Sequence, residues 1–182
     1  MKTYQFAFLL FLTGFFFLAC TSTDSSADGA GTNAQEDARS TTTLYLVRHG
    51  ETDGPSSGNP NLSETGQQRA ERLTREIGKR VDAVYSTNYL RTQQTATPTA
   101  ETYGLEVRSY DPGNMKKTVD QILRDHPNGR VLIVGHSNTT PDMLNVLTKS
   151  RQYSDISHDD YANLYEVKIK RSGKTTVRER RY

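Results

Sequence analysis

Apolar and polar positions follow two alternating patterns through residues 43–182. Short apolar runs at residues 44–47, 83–86, 105–110 and 131–134 predict buried strands. Between them the apolar positions take helical spacing. Ser63 stands where it can cap a helix that turns Ala70, Leu73 and Ile77 inward and ends near Gly78. A second helix is expected after Thr87 and Asn88, carrying Arg91 and stopping at Gly104. A third holds Val119, Ile122 and Leu123 ahead of Pro127. The fourth starts at Thr140-Pro141-Asp142, where a capping hydroxyl, a proline and an acid suit the positive end of a helix dipole. Tyr165, Val167 and Ile169 then alternate, a turn occupies residues 171–174, and a last run follows to residue 182, which together read as a hairpin. Strands alternating with helices imply right-handed crossovers and a mostly parallel sheet. The expected fold is α/β, a three-layer α/β/α sandwich with antiparallel C-terminal strands at the sheet edge. No internal repeat is visible.

The first 42 residues obey neither pattern. Lys2 precedes an apolar stretch from Tyr4 to Ala19, and the single cysteine of the chain, Cys20, closes it. A basic start, an apolar middle and a small residue before the boundary have the layout of an export signal. The segment resembles a bacterial lipoprotein signal, which implies that Cys20 becomes the acylated first residue of the mature chain. Residues 21–42 are rich in Ser, Thr, Ala, Gly and Asp without aromatic or large aliphatic side chains, and read as a flexible tether. These features divide the chain into a signal (1–20), a tether (21–42) and a domain (43–182), and point to a lipid-anchored position in the cell envelope, outside the cytoplasm. One cysteine allows no intramolecular disulfide and no cysteine metal framework. The formal net charge of +2 argues against nucleic acid as a partner. The basic run at residues 168–181 reads as a solvated hairpin face.

Three segments follow predicted strands directly: Arg48-His49-Gly50, Ser86-Thr87-Asn88-Tyr89-Leu90-Arg91-Thr92, and Gly135-His136-Ser137-Asn138. In a parallel sheet those strand ends share one edge, where open α/β folds bind ligands. Each signal is weak alone, since a histidine after a strand is often only a structural hydrogen-bonding residue. Their common topological place lets Arg48, His49, Arg91 and His136 converge on one small anion. Paired arginines with two imidazoles have the composition of a phosphate pocket. No glycine-rich loop with P-loop spacing occurs.

Four ordered motifs carry a family resemblance: Leu46-Val47-Arg48-His49-Gly50-Glu51-Thr52; Leu62-Ser63-Glu64-Thr65-Gly66-Gln67-Gln68-Arg69-Ala70; Tyr85-Ser86-Thr87 with Arg91-Thr92 and Thr95-Ala96; and Val134-Gly135-His136-Ser137. They resemble the histidine phosphatase superfamily, also called phosphoglycerate mutase-like. The resemblance implies that His49 is transiently phosphorylated and that Arg48, Arg91 and His136 bind phosphate, with Ser137 a further candidate contact. It implies no metal and no other cofactor. The chemistry is consistent with this: a neutral imidazole tied by one N–H to a carbonyl presents its other nitrogen to phosphorus, and preorganised cations hold the phosphoryl charge. Water then hydrolyses the phosphohistidine.

The proton donor for the leaving group is less defined. Many relatives carry a Glu after the third strand, whereas this chain reads Ser109-Tyr110-Asp111-Pro112-Gly113. Asp111 is the favoured catalytic acid, with Glu51 and Asp53 behind it. Against these roles, Asp111 before Pro-Gly suits a turn, and Glu51 can simply orient an arginine. After Glu51-Thr52, where mutases continue toward a Trp-Asn pair, the chain runs Asp53-Gly54-Pro55-Ser56-Ser57-Gly58. The domain is also too short for an inserted lid. These departures favour phosphatase over mutase, and the chain most resembles the small, lidless phosphohistidine phosphatases of bacteria. Residues 53–61 and 154–162 are expected to shape the substrate rim. His158-Asp159-Asp160 reads as an exposed acidic loop rather than a metal site, and His126 as a helix-end residue. The expected activity is hydrolysis of a small phosphomonoester. The alternatives are a protein phosphohistidine phosphatase facing the cytoplasm and a catalytically weak phosphate-binding or scaffold lipoprotein.

Overall fold

The computed structural model describes residues 40–54 and 58–182. The expected signal, Cys20 and the tether up to residue 39 lie outside them. Strand β1 (Thr41–Arg48) begins inside the segment expected to be tether, because Thr41 and Thr42 pair with Lys170 and Ile169. Three consecutive β-branched threonines suit an extended ladder, although their polarity makes them look like linker.

Strand β1 runs through the middle of a six-stranded sheet, with β2 (Ala83–Ser86), β3 (Val107–Ser109), β4 (Arg130–Gly135), β5 (Asn163–Lys170) and β6 (Thr175–Arg181). The spatial order is β3-β2-β4-β1-β5-β6. Strands β3, β2, β4 and β1 are parallel, while β5 pairs antiparallel with both β1 and β6. The C-terminal hairpin therefore closes one edge, as expected. Strand β3 is shorter than expected: the Leu105 N–H bonds the Ala100 carbonyl to end the preceding helix, leaving Val107–Ser109 to pair with β2.

Alternation along β1 builds two cores. Leu44 and Leu46 join Val131, Ile133, Val119, Ile122, Met143 and Leu144 on one face. Tyr45 and Val47 join Leu132, Val134, Leu73, Ile77, Ala96 and Ala100 on the other. Helices α1 (Glu64–Ile77) and α2 (Leu90–Tyr103) supply the second set, and α3 (Met115–Asp125) and α4 (Thr139–Thr148) the first. The period of two in a strand meets the 3.6 period of helices on both sides, giving three layers. Among the described residues no helix is long and apolar enough to cross a membrane.

The helix ends follow the sequence signals closely. The Ser63 Oγ accepts from the Gly66 N–H, and Gly78 and Gly104 end α1 and α2 in the left-handed region, at φ 59° and 66°. Helix α2 lacks a capping side chain of its own; the Asn59 Oδ1 accepts from the Leu90 N–H at 2.7 Å instead. Helix α4 starts two residues earlier than expected, at Thr139 where Pro141 was the expected first helical residue, after Asn138, whose backbone is already helical.

Two glycines bring α1 against the end of β1. A Cβ on Gly50 would lie 2.9 Å from the Gly66 carbonyl oxygen, and one on Gly66 would overlap the Glu51 carbonyl. The close approach leaves no space for a methyl group. The substitution Gly66→Ala is expected to lower unfolding free energy by roughly 3 kcal/mol, read as a drop in urea midpoint at unchanged slope.

Candidate active site

The C-terminal ends of β1 and β4 lie side by side, with Arg48 opposite Gly135 and the His49 N–H bonded to the Gly135 carbonyl at 2.9 Å. Strand β2 ends beside them, Ser86 pairing with Val134. One residue beyond β4 comes His136, and the first turn of α2 carries Arg91. Arg48, His49, Arg91 and His136 thus line one cavity of about 310 Å³ together with Ser137 and Tyr89. The Thr140 hydroxyl donates to the Val47 carbonyl, and the Gly50 N–H to Thr95 Oγ1, so α4 and α2 are both fastened to the end of β1. A wider hollow of about 1350 Å³ between α3, α4 and the hairpin contains none of the four residues.

His49 is 3% exposed. Its Nδ1 lies 2.7 Å from the Gly50 carbonyl oxygen. A carbonyl only accepts, so Nδ1 carries the proton and Nε2 keeps its lone pair. Burial, opposed by the Gly50 hydrogen bond and reinforced by His136, Arg48 and Arg91, pulls the imidazole pKa down to about 3. The ring is neutral at physiological pH.

His136 is fixed by a relay. Arg91 Nη2 approaches its Nδ1 at 3.4 Å, and a guanidinium can only donate. Nε2–H must then donate to the Thr87 Oγ1, 2.7 Å away, and Thr87 passes its own proton to Thr92 Oγ1 at 3.0 Å. The Thr92 hydroxyl ends on the carbonyls of Thr87 and Tyr89. Burial, then Arg91 and Arg48, lower the His136 pKa to about 4. The two imidazoles meet edge to face with centroids 5.4 Å apart.

The arginines are 3% and 8% exposed, and among the described residues neither has a carboxylate partner. Arg48 Nη1 donates to the carbonyls of Ser157, His158 and Asp160 at 2.7, 3.1 and 3.0 Å, and Arg91 Nη1 to the Gly58 carbonyl at 3.2 Å. Both Nε atoms are buried without a partner. The Arg48 guanidinium lies 4.1 Å from the Tyr161 ring centroid and that of Arg91 4.5 Å from Tyr89. Burial is the largest cause lowering both guanidinium pKa values. Two desolvated cations paired only with dipoles and aromatic faces constitute a site complementary to an anion.

The candidate acids are placed otherwise. Glu51 makes a forked ion pair with Arg69, with contacts of 2.6, 2.9 and 3.1 Å. Burial would raise its carboxyl pKa, and the Arg69 hydrogen bonds outweigh that to lower it. Arg69 in turn donates to the Tyr182 carbonyl, so Glu51 orients an arginine that holds the C-terminus. The Asp111 carboxylate accepts from the Gly113 N–H at 2.8 Å as an N-cap. Neither they nor Asp53 line the cavity. His126 caps the end of α3, its Nε2 2.9 Å from the Tyr85 hydroxyl. The rim segments expected at residues 53–61 and 154–162 reach the site through the Gly58 carbonyl and through His158, which lines the cavity. The sequence reading did not foresee the Thr87–Thr92 relay or the stacking of Tyr89 and Tyr161. Tyr89, two residues before Arg91, could have signalled its own role, whereas nothing in the sequence marks Tyr161 as a partner for Arg48.

Residues 44–112 match the family model of the histidine phosphatase superfamily (branch 1). The chain is similar to that family over this stretch. Its fold is shared by phosphoserine phosphatase from Entamoeba histolytica, solved with 3-phosphoglyceric acid. That structure is 17% identical, with TM-score 0.59, over 75% of this chain and 94% of that one. The protein histidine phosphatase SixA, solved with tungstate, gives 14% identity and TM-score 0.60 over 76% and 96%. Mycobacterial glucosyl-3-phosphoglycerate phosphatase gives 15% and 0.63 over 78% and 98%. No curated protein matches the chain in sequence.

The depressed histidines have a pH consequence. Unfolding returns both imidazoles toward the ordinary 6.5, so below that pH the unfolded chain binds protons that the folded one refuses. Stability is expected to be full above about pH 7 and to fall as pH drops from 6.5 toward 4. Imidazole NMR signals of His49 and His136 in the native protein should stay in the neutral form between pH 8 and 5. Titration of either near 6.5 would contradict this assignment.

Proposed function

We propose that the chain is a phosphatase that hydrolyses phosphomonoesters through a phosphohistidine on His49, without a metal ion. The observation that carries this reading is a neutral His49, with Nε2 unprotonated, in one cavity with two buried guanidinium groups that have no carboxylate partner among the described residues. An incoming phosphoryl group supplies the missing negative charge, and the Arg48 and Arg91 N–H donors bind its oxygens. The His49 Nε2 attacks phosphorus in line with the ester oxygen, the P–N bond forms and the P–O bond breaks. Charge spread over the phosphoryl oxygens in the transition state meets donors already held in place by the 157–160 and Gly58 carbonyls, so little reorganisation is needed. Water then attacks the phosphohistidine and releases inorganic phosphate.

The solved phosphoserine and glucosyl-3-phosphoglycerate phosphatases of this fold support small phosphorylated molecules as the substrate class. Tyr89, which lines the cavity just before α2 and is 41% exposed, gives the rim an apolar side for a leaving group. A second reading, a phosphohistidine-bearing protein as substrate, is favoured by the absence of a carboxylate among the residues lining the cavity. The lipoprotein-like start and Cys20 support a lipid-anchored location outside the cytoplasm, where small phosphoesters are the substrates within reach.

The full-length chain in detergent is expected to hydrolyse p-nitrophenyl phosphate with and without chelator. His49→Ala should abolish turnover and acid-labile phosphate labelling. Arg91→Ala should cost on the order of 10²-fold in kcat/KM. Phosphate binding without turnover in the unaltered chain would instead establish a binding protein. Separately, Cys20→Ser should move the chain from the membrane fraction to the soluble fraction and end labelling by radioactive palmitate.

A further inference from the structure

A leaving alkoxide needs a proton, and the side chains around the cavity leave few that can provide it. On the phosphatase reading, Arg48 and Arg91 face the phosphoryl group, His49 is the nucleophile, and the His136 Nε2–H is committed to Thr87. The neighbouring carboxylates are engaged elsewhere: Glu51 by Arg69, Asp111 by the Gly113 N–H, Asp159 by Ser157 Oγ at 2.5 Å and Asp160 by Arg181 at 3.0 Å. One titratable imidazole remains at the rim. His158 lines the same cavity as His49, and among the described residues its ring makes no hydrogen bond.

The backbone holds His158 in a specific relation to the phosphoryl site. Arg48 Nη1 binds the carbonyls of Ser157, His158 and Asp160, and the Tyr161 ring stacks on the same guanidinium. The group that receives phosphate is thus also the pivot of the loop that carries the free imidazole. Histidine is the side chain most often used for proton transfer.

We propose that His158 is the leaving-group acid of this site. In the first step the His49 Nε2 electron pair forms the P–N bond, the P–O bond electrons go to the ester oxygen, and the His158 imidazolium gives that oxygen its proton, releasing the alcohol. In the second step water attacks phosphorus, its proton passes to the now neutral His158, and the P–N bond electrons return to His49 as inorganic phosphate leaves. Both histidines end as they began.

The test is a leaving-group series with the full-length chain: p-nitrophenyl phosphate, phenyl phosphate and an alkyl phosphate such as phosphoserine. The His158→Gln variant keeps the main-chain carbonyl that Arg48 binds and loses the transferable proton. Its kcat/KM, which reports the steps up to release of the alcohol, is expected to fall about 10²-fold more on the alkyl ester than on p-nitrophenyl phosphate, while loss of the proton acceptor for water slows phosphohistidine hydrolysis equally for all three esters. Added imidazole should restore alkyl ester turnover in His158→Ala. An equal loss of kcat/KM across the series without imidazole rescue would overturn the proposal and leave His158 as loop structure. So would a selective alkyl ester loss in Asp111→Asn but not in His158→Gln. Failure of the unaltered chain on p-nitrophenyl phosphate would instead remove the phosphatase reading on which the proposal rests.

Discussion

Arg48 is buried at the end of the central strand with no carboxylate among the described residues to balance it, and much of the surrounding architecture is a response to that charge. Three main-chain carbonyls of residues 157–160 converge on one of its nitrogens, and a tyrosine face covers its guanidinium. Dipoles and a ring quadrupole lower the cost of burying a cation without neutralising it. A carboxylate in the same place would make a stronger pair in the empty protein and would have to be displaced by any incoming anion. The fold thus keeps its positive charge available while ordering the loop before β5.

Arg91 meets the same problem with a different arrangement. It is anchored through Gly58, covered by Tyr89, and turned toward His136, whose ring is fixed by a chain of threonine hydroxyls ending on the backbone. Burial first, then the nearby guanidinium charges, keep the two imidazoles neutral, and their neutrality in turn avoids further repulsion between four cationic groups in one small cavity. Neighbouring charges and burial act in the same direction here, so the protonation pattern does not depend on a single contact.

Much of this was legible in the sequence because topology reduced the possibilities. Arg48, His49, Arg91 and His136 are far apart in the chain, yet each follows a predicted parallel strand or opens the next helix, and strand ends of one sheet share an edge. Helix limits at Ser63, Gly78 and Gly104 followed from capping chemistry that is local to a few residues. What the sequence concealed was contact between segments without regular periodicity. The Tyr161 stacking on Arg48 spans more than a hundred residues and depends on how an irregular loop folds back. Likewise Glu51 could be read equally as an acid or an arginine partner until Arg69 was seen beside it. The start of β1 was concealed for another reason: threonines satisfy both linker composition and strand geometry.

Strand β1 is where the first 39 residues join the domain, and its opposite end delivers His49. It is flanked on both sides, by six paired positions with β4 and seven with β5. Tension applied through the N-terminal segment therefore runs along the strand axis and loads both ladders in shear, so that many hydrogen bonds share the force instead of peeling one at a time. A domain held by that end and dragged through a viscous medium would keep His49 in register. The same strand would then bear the load at one end and hold the cavity's histidine at the other.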